Sequence, residues 1–387
     1  MEKTAIVVTC PKGLTPWLVM EIGSLGLPVI SESIASVTTE GGMAEAMRLN
    51  LQLRTGHRVL LLLKGFLARN ADDLYRELFD IRWEDYIPED SYLSVTSSVE
   101  NPTINDSRFA NLKCKDAIVD RILQTCGRRP DSGPERDRCV VYLYWKGTSC
   151  AVYLDTSGEP LSRRGYRRIP MAAPMQETLA AGVIAATGWT GSTDFINPMC
   201  GSGTLAIEAA LIAFRKAPGL LRENFGFMHY RGFSHEGWIS IRREAEDRVL
   251  EKPECGIIAS DSNPRAVDAA IRNAAAAGVR DAVSFGVCDF AETELPGRGG
   301  IIVLNPEYGE RMGDEAALGA TYRSIGDFFK QRCRGYTGYI FTGNMSLAKK
   351  VGLRSKRRIP FYNSGIECRL LEYELYEGSR KQKQEQE

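Results

Sequence analysis

The second half of the chain alternates short apolar stretches with helical segments, and this alternation is the feature that most constrains the fold. A first strand ends at residues 195–197, and later strands are predicted at 255–261, 282–289, 299–305, 337–343 and 368–376. Strands that alternate with helices form a mainly parallel sheet covered on both faces. Ligands of such sheets bind at the carboxyl ends of the strands. We therefore predict an α/β domain with its site at that edge.

A glycine-rich turn follows the first of these strands, in FINPMCGSGTLAIEAALIA (195–213). Gly201 and Gly203 let the backbone approach a ligand closely, and the next helix offers unpaired amides at its N-terminus. Gly201, Gly203 and Ala206 also fit the G-x-G-x-x-A dinucleotide pattern, so an NAD-dependent oxidoreductase is one alternative. That pattern expects an acidic residue about 20 residues later. The strand-end acid here, Asp261, comes only after an insertion at 216–250.

Two acidic residues end the next two strands. Asp261 can accept hydrogen bonds from both ribose hydroxyls of an adenosine, and Asp289 can accept one from the adenine amino group. Each could equally cap the helix or turn that follows it. The two roles are compatible, so both stay open for Asp261.

The stretch LNPEYGERMG (304–313) ends the fourth strand, next to the glycine turn. An exocyclic amine on a base is a poor nucleophile because its lone pair is delocalised. The side-chain oxygen of Asn305 and the carbonyl of Pro306 can accept its hydrogens, and Tyr308 offers a stacking face for a flipped base. A turn without any function would have the same composition. The strand-end position favours the catalytic interpretation.

The first half mixes strands and helices and is predicted to be a small α+β module. The junction SGEPLSRRGYRRIP (157–170) is rich in arginine, glycine and proline, which indicates a domain boundary. Predicted bounds are 1–157 for the first module, 158–170 for the junction, 171–377 for the α/β domain and 378–387 for a disordered tail.

Composition excludes several classes of protein. The chain has 49 basic and 49 acidic residues, so its net charge does not indicate nucleic-acid binding, although a local basic patch remains open. Three histidines and ten cysteines without C-x-x-C spacing favour reduced cytoplasmic thiols and no metal site. The longest apolar runs fall short of a membrane span, so no membrane partner is expected.

These motifs resemble those of the THUMP-domain RNA guanine-N2 methyltransferases. NPMCGSGTLAIEAALIA resembles the first motif of that family, and LNPEYGERMG resembles its fourth, which is usually Asn-Pro-Pro-Tyr-Gly-Glu-Arg. CPKGLTPWLVMEIGSLG, FANLKCKDAIVDRI, LDTSGEPLSRRGYR and GIECRLLEYEL extend the resemblance over nearly the whole chain. It is similar to the first half of the bacterial large-subunit rRNA methyltransferase L and its stand-alone homologues.

The resemblance implies a fold, a donor and a substrate. The fold would be a ferredoxin-like segment plus a THUMP RNA-binding domain, followed by a Rossmann-like class I methyltransferase domain. The donor would be S-adenosylmethionine, and the acceptor N2 of a guanosine in RNA, most simply 23S rRNA or a large-subunit precursor. Matched by position, the residues implied to line the donor pocket are Pro174, Met175, Asn197, Pro198, Cys200, Gly201, Gly203, Thr204, Asp261, Asp289 and Phe290. Asn305, Pro306 and Tyr308 would hold the target base.

One residue departs from the pattern of the family. Glu307 stands where the family usually has proline. Loss of the proline could loosen the loop. The carboxylate could instead disturb the pocket or attract the sulfonium of the donor, or it could point to solvent, and we favour the solvent position. A catalytically silenced RNA-binding homologue is the corresponding alternative function.

Basic residues suggest where RNA would bind. Arginine and lysine side chains can contact phosphates in either part of the chain. The candidates are Lys113, Lys115, Arg163, Arg164, Arg167 and Arg168. A solvated charged face would have the same composition, so only the structure can separate the two.

Overall fold

The computed structural model describes residues 3–101, 104, 106–169, 171, 174–308 and 315–376. The predicted tail at 378–387 lies outside these residues. The described helices are α1 Thr15–Ser24, α2 Met43–Gln52, α3 Ala71–Phe79, α4 Ser107–Cys126, α5 Glu177–Thr187, α6 Thr204–Ala213, α7 His235–Glu246, α8 Pro264–Ala276, α9 Glu315–Gln331 and α10 Met345–Lys349. The described strands are β1 Thr4–Thr9, β2 Ser31–Glu32, β3 Ser36–Gly41, β4 Arg58–Leu67, β5 Tyr92–Glu100, β6 Asp131–Ser132, β7 Cys139–Lys146, β8 Ser149–Asp155, β9 Asp194–Pro198, β10 Ile257–Asp261, β11 Val283–Val287, β12 Gly300–Leu304, β13 Tyr336–Thr342, β14 Arg357–Asn363 and β15 Ile366–Glu374.

The chain divides into two compact units. The first contains residues 1–11, 18–163 and 218–247, and the second contains 12–17, 164–217 and 248–387. Residues 12–17 therefore belong to the second unit, although their neighbours in sequence belong to the first. Residues 218–247 belong to the first unit, although their neighbours in sequence belong to the second. The domain bounds predicted from the sequence, 1–157 and 171–377, remain a prediction.

The first unit contains an eight-stranded sheet in the order β2-β3-β1-β4-β8-β7-β5-β6. Its pairs are antiparallel except for β5, which runs parallel to both β7 and β6. Helix α4 begins where Asp106 accepts a hydrogen bond from the backbone N–H of Arg108, and it ends at Gly127 with φ 69°. These are the capping residues that a helix of this kind needs at each end.

The second unit contains a seven-stranded sheet in the order β11-β10-β9-β12-β13-β15-β14. Strands β9 to β13 run parallel, and the β14–β15 hairpin adds antiparallel strands at one edge. The order reverses between β9 and β12, so their carboxyl ends flank a crevice where ligands of such sheets bind. The predicted α/β fold is confirmed.

Apolar runs explain why the central strands are buried. Ile302, Val303 and Leu304 of β12 are inaccessible to solvent, as strands covered on both faces require. Tyr322, Ile325 and Phe329 of α9 pack in the same core cluster as Ile302 and Leu304. This core fixes the end of β12, from which Asn305 and Tyr308 follow.

Strand β14 was absent from the sequence-based prediction. Its residues RRIPFYN begin with two arginines and include a proline. The strand lies at the sheet edge and pairs only with β15 among the described strands, so Pro360 costs the sheet little. None of the described helices is long and apolar enough to cross a membrane.

Candidate active site

The glycine turn after β9 bends sharply. Met199, Gly201 and Gly203 have φ values of 58°, 55° and 83°. The backbone N–H of Cys200 donates to the carbonyl oxygen of Ser260 at 2.9 Å, which joins the turn to the end of β10. The turn thereby delivers the N-terminus of α6 to the carboxyl edge of the sheet.

The two glycines have different surroundings. A Cβ at Gly203 would lie 2.8 Å from Cβ of Ala270, so Gly203 permits close packing of α6 against α8. A Cβ at Gly201 would meet nothing within 4 Å, so space is open beside that residue. Only Gly201 of the two therefore has room for a ligand next to its Cα.

Asparagine side chains with unused oxygen atoms follow or end the two central strands. Asn197 is fully buried, and its Nδ2 donates to the carbonyl oxygen of Val303 at 2.9 Å. The Oδ1 atoms of Asn197 and Asn305 are both buried and accept no hydrogen bond from any described residue. A buried polar atom without a partner is costly, so such atoms in a cleft are candidates for ligand contacts.

Asp261 joins the glycine turn to the end of β10. One carboxylate oxygen accepts from the backbone N–H of Gly201 at 2.9 Å, and the other accepts from that of Asn263 at 2.9 Å. A carboxylate has about four acceptor positions, so two remain for ribose hydroxyls. The cap of α8 itself is Asn263, whose Oδ1 accepts from the backbone N–H of Arg265.

The end of β11 carries the next acidic residue. Asp289 is exposed and accepts from the backbone N–H of Ala291 at 2.9 Å, which caps a short 3-10 turn. Phe290 is buried, with its ring edge-on to Phe328 at 5.8 Å between centroids. Phe290 thus contributes to the core, whereas the carboxylate of Asp289 is accessible.

Arg167 organises the segment before α5. Its guanidinium donates to Glu177 at 3.0 Å, to the carbonyl oxygen of Met175 at 2.7 Å and to Oγ1 of Thr204 at 3.4 Å. Met175 is buried and Pro174 is half-buried. Arg167 therefore ties three of the elements predicted to surround the donor.

Cys200 carries a neutral thiol. Burial, and secondarily the carboxylate of Asp261, raises the pKa of Cys200 to about 12. A thiol with such a pKa is protonated at neutral pH, so Cys200 can line a pocket but does not supply a thiolate nucleophile.

In the loop after β12, Glu307 is more exposed to solvent than the three predicted base-contacting residues around it. Pro306 is buried, Asn305 and Tyr308 are half-buried, and Glu307 is exposed. The glutamate therefore occupies the solvent position that the sequence analysis favoured. The residues of this motif beyond Tyr308, up to position 313, lie outside the described residues.

The ring of Tyr308 has contacts that the sequence did not predict. Its hydroxyl accepts a hydrogen bond from Nδ2 of Asn363 at 2.9 Å and lies 3.7 Å from Sγ of Cys368. Its ring is 6.2 Å from that of Phe341, edge-on. Burial raises the pKa of Tyr308, so its phenol stays neutral. No motif linked Tyr308 to the distant Asn363, so sequence reasoning had no signal for this contact.

The predicted phosphate-contacting residues fall into different environments. Arg163 and Arg168 are exposed, and Lys113 and Lys115 are half-buried. Arg167 is engaged as described above. The prediction is wrong for Arg164, whose side chain is 2% exposed and lies 3.5 Å from the fully buried carboxylate of Glu208. A buried guanidinium paired with a carboxylate stabilises the interior and does not reach a phosphate in solvent.

Family profiles match three consecutive parts of the chain. They are an RlmL ferredoxin-like domain at residues 5–60, a THUMP domain at 68–155 and an RMKL-like methyltransferase domain at 164–372. The last of these contains the glycine turn, so the oxidoreductase alternative finds no support.

Individual relatives agree with these profiles. A Synechocystis protein provisionally named as an RNA methyltransferase is 35% identical over 95% of this chain and 96% of its own. The ribosomal RNA large subunit methyltransferase K/L of Pseudomonas aeruginosa is 36% identical over 95% of this chain and 52% of its own. The chain thus spans about half the length of that relative. A crystal structure of a provisionally named methyltransferase, complexed with S-adenosylhomocysteine (SAH), superposes with a TM-score of 0.88 at 26% identity, covering 98% of this chain and 100% of the other.

Sheet order, glycine turn and strand-end acids together define a class I methyltransferase fold. The chain belongs to the family of RMKL-like methyltransferases that carry RlmL ferredoxin-like and THUMP domains.

Proposed function

We propose that this protein transfers a methyl group from S-adenosylmethionine to the exocyclic N2 amine of a guanosine in RNA, with large-subunit rRNA as the substrate. The observation that carries the proposal is the unused, buried Oδ1 of Asn305 at the end of β12. It is a hydrogen-bond acceptor positioned at the edge of the sheet where ligands of this fold bind. The names of the relatives and the THUMP profile support RNA as the substrate class.

The donor pocket fits S-adenosylmethionine on two observations. Open space lies beside Gly201, and the carboxylate of Asp261 keeps acceptor positions for ribose hydroxyls. The unused Oδ1 of Asn197 is a further acceptor at the adjacent strand end. We assign to this pocket the residues Pro174, Met175, Asn197, Pro198, Cys200, Gly201, Gly203, Thr204, Asp261, Asp289 and Phe290.

Transfer needs a pyramidal amine rather than a strong base. S-adenosylmethionine supplies a methyl group on a positively charged sulfur. The lone pair of the amine nitrogen forms a bond to the methyl carbon as the carbon–sulfur bond breaks, a neutral thioether leaves, and the methylated nitrogen, now positively charged, releases one of its protons to water. Oδ1 of Asn305 and the carbonyl oxygen of Pro306 accept the amine hydrogens, which localises the lone pair on nitrogen. Tyr308 stacks on the base and aligns it, so most of the rate enhancement comes from positioning.

Glu307 does not prevent this chemistry in our proposal. Its side chain is exposed, whereas the acceptors are contributed by its neighbours. Among the basic residues, we retain Lys113, Lys115, Arg163 and Arg168 as candidate phosphate contacts, and we assign Arg167 to the support of the donor pocket.

The test is methyl transfer from labelled S-adenosylmethionine to unmodified large-subunit rRNA, followed by digestion to nucleosides. N2-methylguanosine is the expected product. Asn305→Ala should lower kcat by about a hundredfold or more, because one acceptor of the amine is lost, while SAH still binds. Glu307→Pro should be as active as the wild type.

Asn70→Ala is the matched control. Asn70 caps α3 in the first unit, so its loss costs about 1 kcal/mol of stability and leaves the rate unchanged. Label on adenosine N6 would contradict the guanosine assignment. Product from Glu307→Pro alone would mean that the glutamate has silenced the enzyme. An undiminished rate for Asn305→Ala would remove Asn305 from the mechanism.

A further inference from the structure

We propose that Asn363, at the tip of the β14–β15 hairpin, is a positioning residue that orients Tyr308 for the target base. This inference rests on the proposed function, since it assumes that Tyr308 stacks on the base. The proposal adds the β14–β15 hairpin, at the edge of the sheet, to a site that is otherwise formed by residues at the ends of β9 to β12.

The hydroxyl end of the ring is held by the hairpin. Nδ2 of Asn363 donates to the Tyr308 hydroxyl at 2.9 Å, and Sγ of Cys368 lies 3.7 Å from the same oxygen. Asn363 comes from β14 and the fully buried Cys368 from β15. Contacts from both strands fix the position of this oxygen relative to the sheet.

The hairpin turn is rigid enough to serve as an anchor. Asn363 pairs with Ile366, so only two residues, Ser364 and Gly365, form the turn. Their φ values are 48° and 89°, and positive φ at both central residues is typical of the tight hairpin turns that match strand twist. Asn363 is thus held at the last paired position before a short, well-defined turn.

One edge of the ring is held from a different direction. A Cβ at Gly343, which directly follows β13, would lie 2.9 Å from both Cδ2 and Cε2 of Tyr308, and also 2.9 Å from Cγ2 of Ile366 in the hairpin. The ring therefore rests against a position that only glycine can occupy without displacement. Phe341, which is fully buried, contacts the ring edge-on at 6.2 Å between centroids.

These contacts have a consequence for catalysis. Asn305 and Tyr308 are three residues apart on one loop, so a base stacked on Tyr308 presents its amine to Asn305 only at one ring orientation. A misplacement of about 1 Å can lower a rate about a hundredfold. Loss of the Asn363 hydrogen bond should therefore lower kcat about tenfold or more without weakening SAH binding.

A double-mutant cycle tests the inference. Asn363→Ala, Tyr308→Phe and the double variant are compared for kcat on rRNA, for KM and for SAH affinity. If Asn363 acts through the hydroxyl, each single variant loses about the same factor in kcat, and the double variant loses no more than either. Multiplicative losses, or a wild-type rate for Asn363→Ala, would overturn the inference.

Two further variants keep the test decisive. Tyr362→Phe removes a hydroxyl from the neighbouring residue of β14, which has no described role in the site, and should leave the rate unchanged. If Asn363→Ala does not fold, Asn363→Leu, which is similar in size and has no donor, should lower kcat by the same factor while SAH binding is unchanged. A wild-type rate for Asn363→Leu would contradict the inference. A wild type that binds SAH but methylates no RNA would instead refute the proposed function.

Discussion

The two glycines of the turn after β9 should fail in different ways when each is replaced by alanine. Gly203 has φ 83°, which costs alanine about 1–2 kcal/mol. Its new Cβ would also lie 2.8 Å from Cβ of Ala270, and overpacking of this kind costs about 1–3 kcal/mol. Gly203→Ala should therefore destabilise the second unit by about 2–5 kcal/mol.

Gly201→Ala should behave in the opposite way. Its φ of 55° carries a similar backbone cost, but its Cβ meets no neighbour within 4 Å. The stability loss should stay near 1–2 kcal/mol, while the methyl group enters the space that we assign to the donor. SAH affinity should fall at least tenfold.

Gly188→Ala is the matched control for both variants. Gly188 has φ 76°, caps the C-terminus of α5 and has nothing within 4 Å of a built Cβ. It should pay the backbone cost alone and bind SAH normally. Its comparison with Gly203→Ala isolates the clash, and its comparison with Gly201→Ala isolates the effect on the ligand.

Urea denaturation and calorimetric SAH titration together make the measurement. Two compact units can unfold in separate transitions. The transition of the second unit is the one whose free energy of unfolding rises when SAH is added, by about 2.7 kcal/mol at a hundredfold excess over Kd. Normal SAH binding by Gly201→Ala would refute the assignment of the turn. A Gly203→Ala variant as stable as Gly188→Ala would refute the packing argument.

Three further variants test other parts of the molecule. Arg164→Met should destabilise by about 3–5 kcal/mol in denaturation, because it removes the positive charge beside the buried carboxylate of Glu208, to which the Tyr166 hydroxyl also donates, whereas the exposed Arg163→Met should stay within about 0.5 kcal/mol. Burial, reinforced by neighbouring arginines, lowers the pKa of His57 to about 4, below its unfolded value near 6.5. The stability that this shift contributes is complete above pH 6.5 and is lost as the pH falls through 4, so His57→Gln should flatten the acid side of a stability profile. Glu307→Gln should change neither SAH affinity nor kcat by more than about twofold, since an exposed charge contributes little to a buried site.

The parts of the fold that could be predicted were those specified by local sequence. Short apolar runs and a glycine turn identified β9, α6, β10 and β12, because the apolar pattern and the length of each segment agree there. β14 escaped because its first residues are charged and it contains Pro360, both of which are tolerated at a sheet edge but argue against a strand in isolation.

The same difference between local sequence signals and long-range contacts applies to the residues of the site. Asn305 could be placed at a strand end because it directly follows an apolar run. The burial of Arg164 could not be predicted, because its partner Glu208 lies on another element and only the fold brings the two together. The contact between Tyr308 and Asn363 has a separation of 55 residues and no accompanying motif. Long-range pairs of this kind are set by tertiary packing.

The membership of residues 12–17 in the second unit has a consequence for synthesis on the ribosome. Trp17 stacks on Phe361 at 5.0 Å, and Leu14 is fully buried and close to Gly182. At about 5–20 residues per second, the ribosome needs roughly 20–70 s between making Trp17 and making Phe361. During that interval these early apolar side chains lack their final partners. The second unit therefore cannot complete its core in the order in which the chain emerges, because one of its segments is made long before the strands that it packs against.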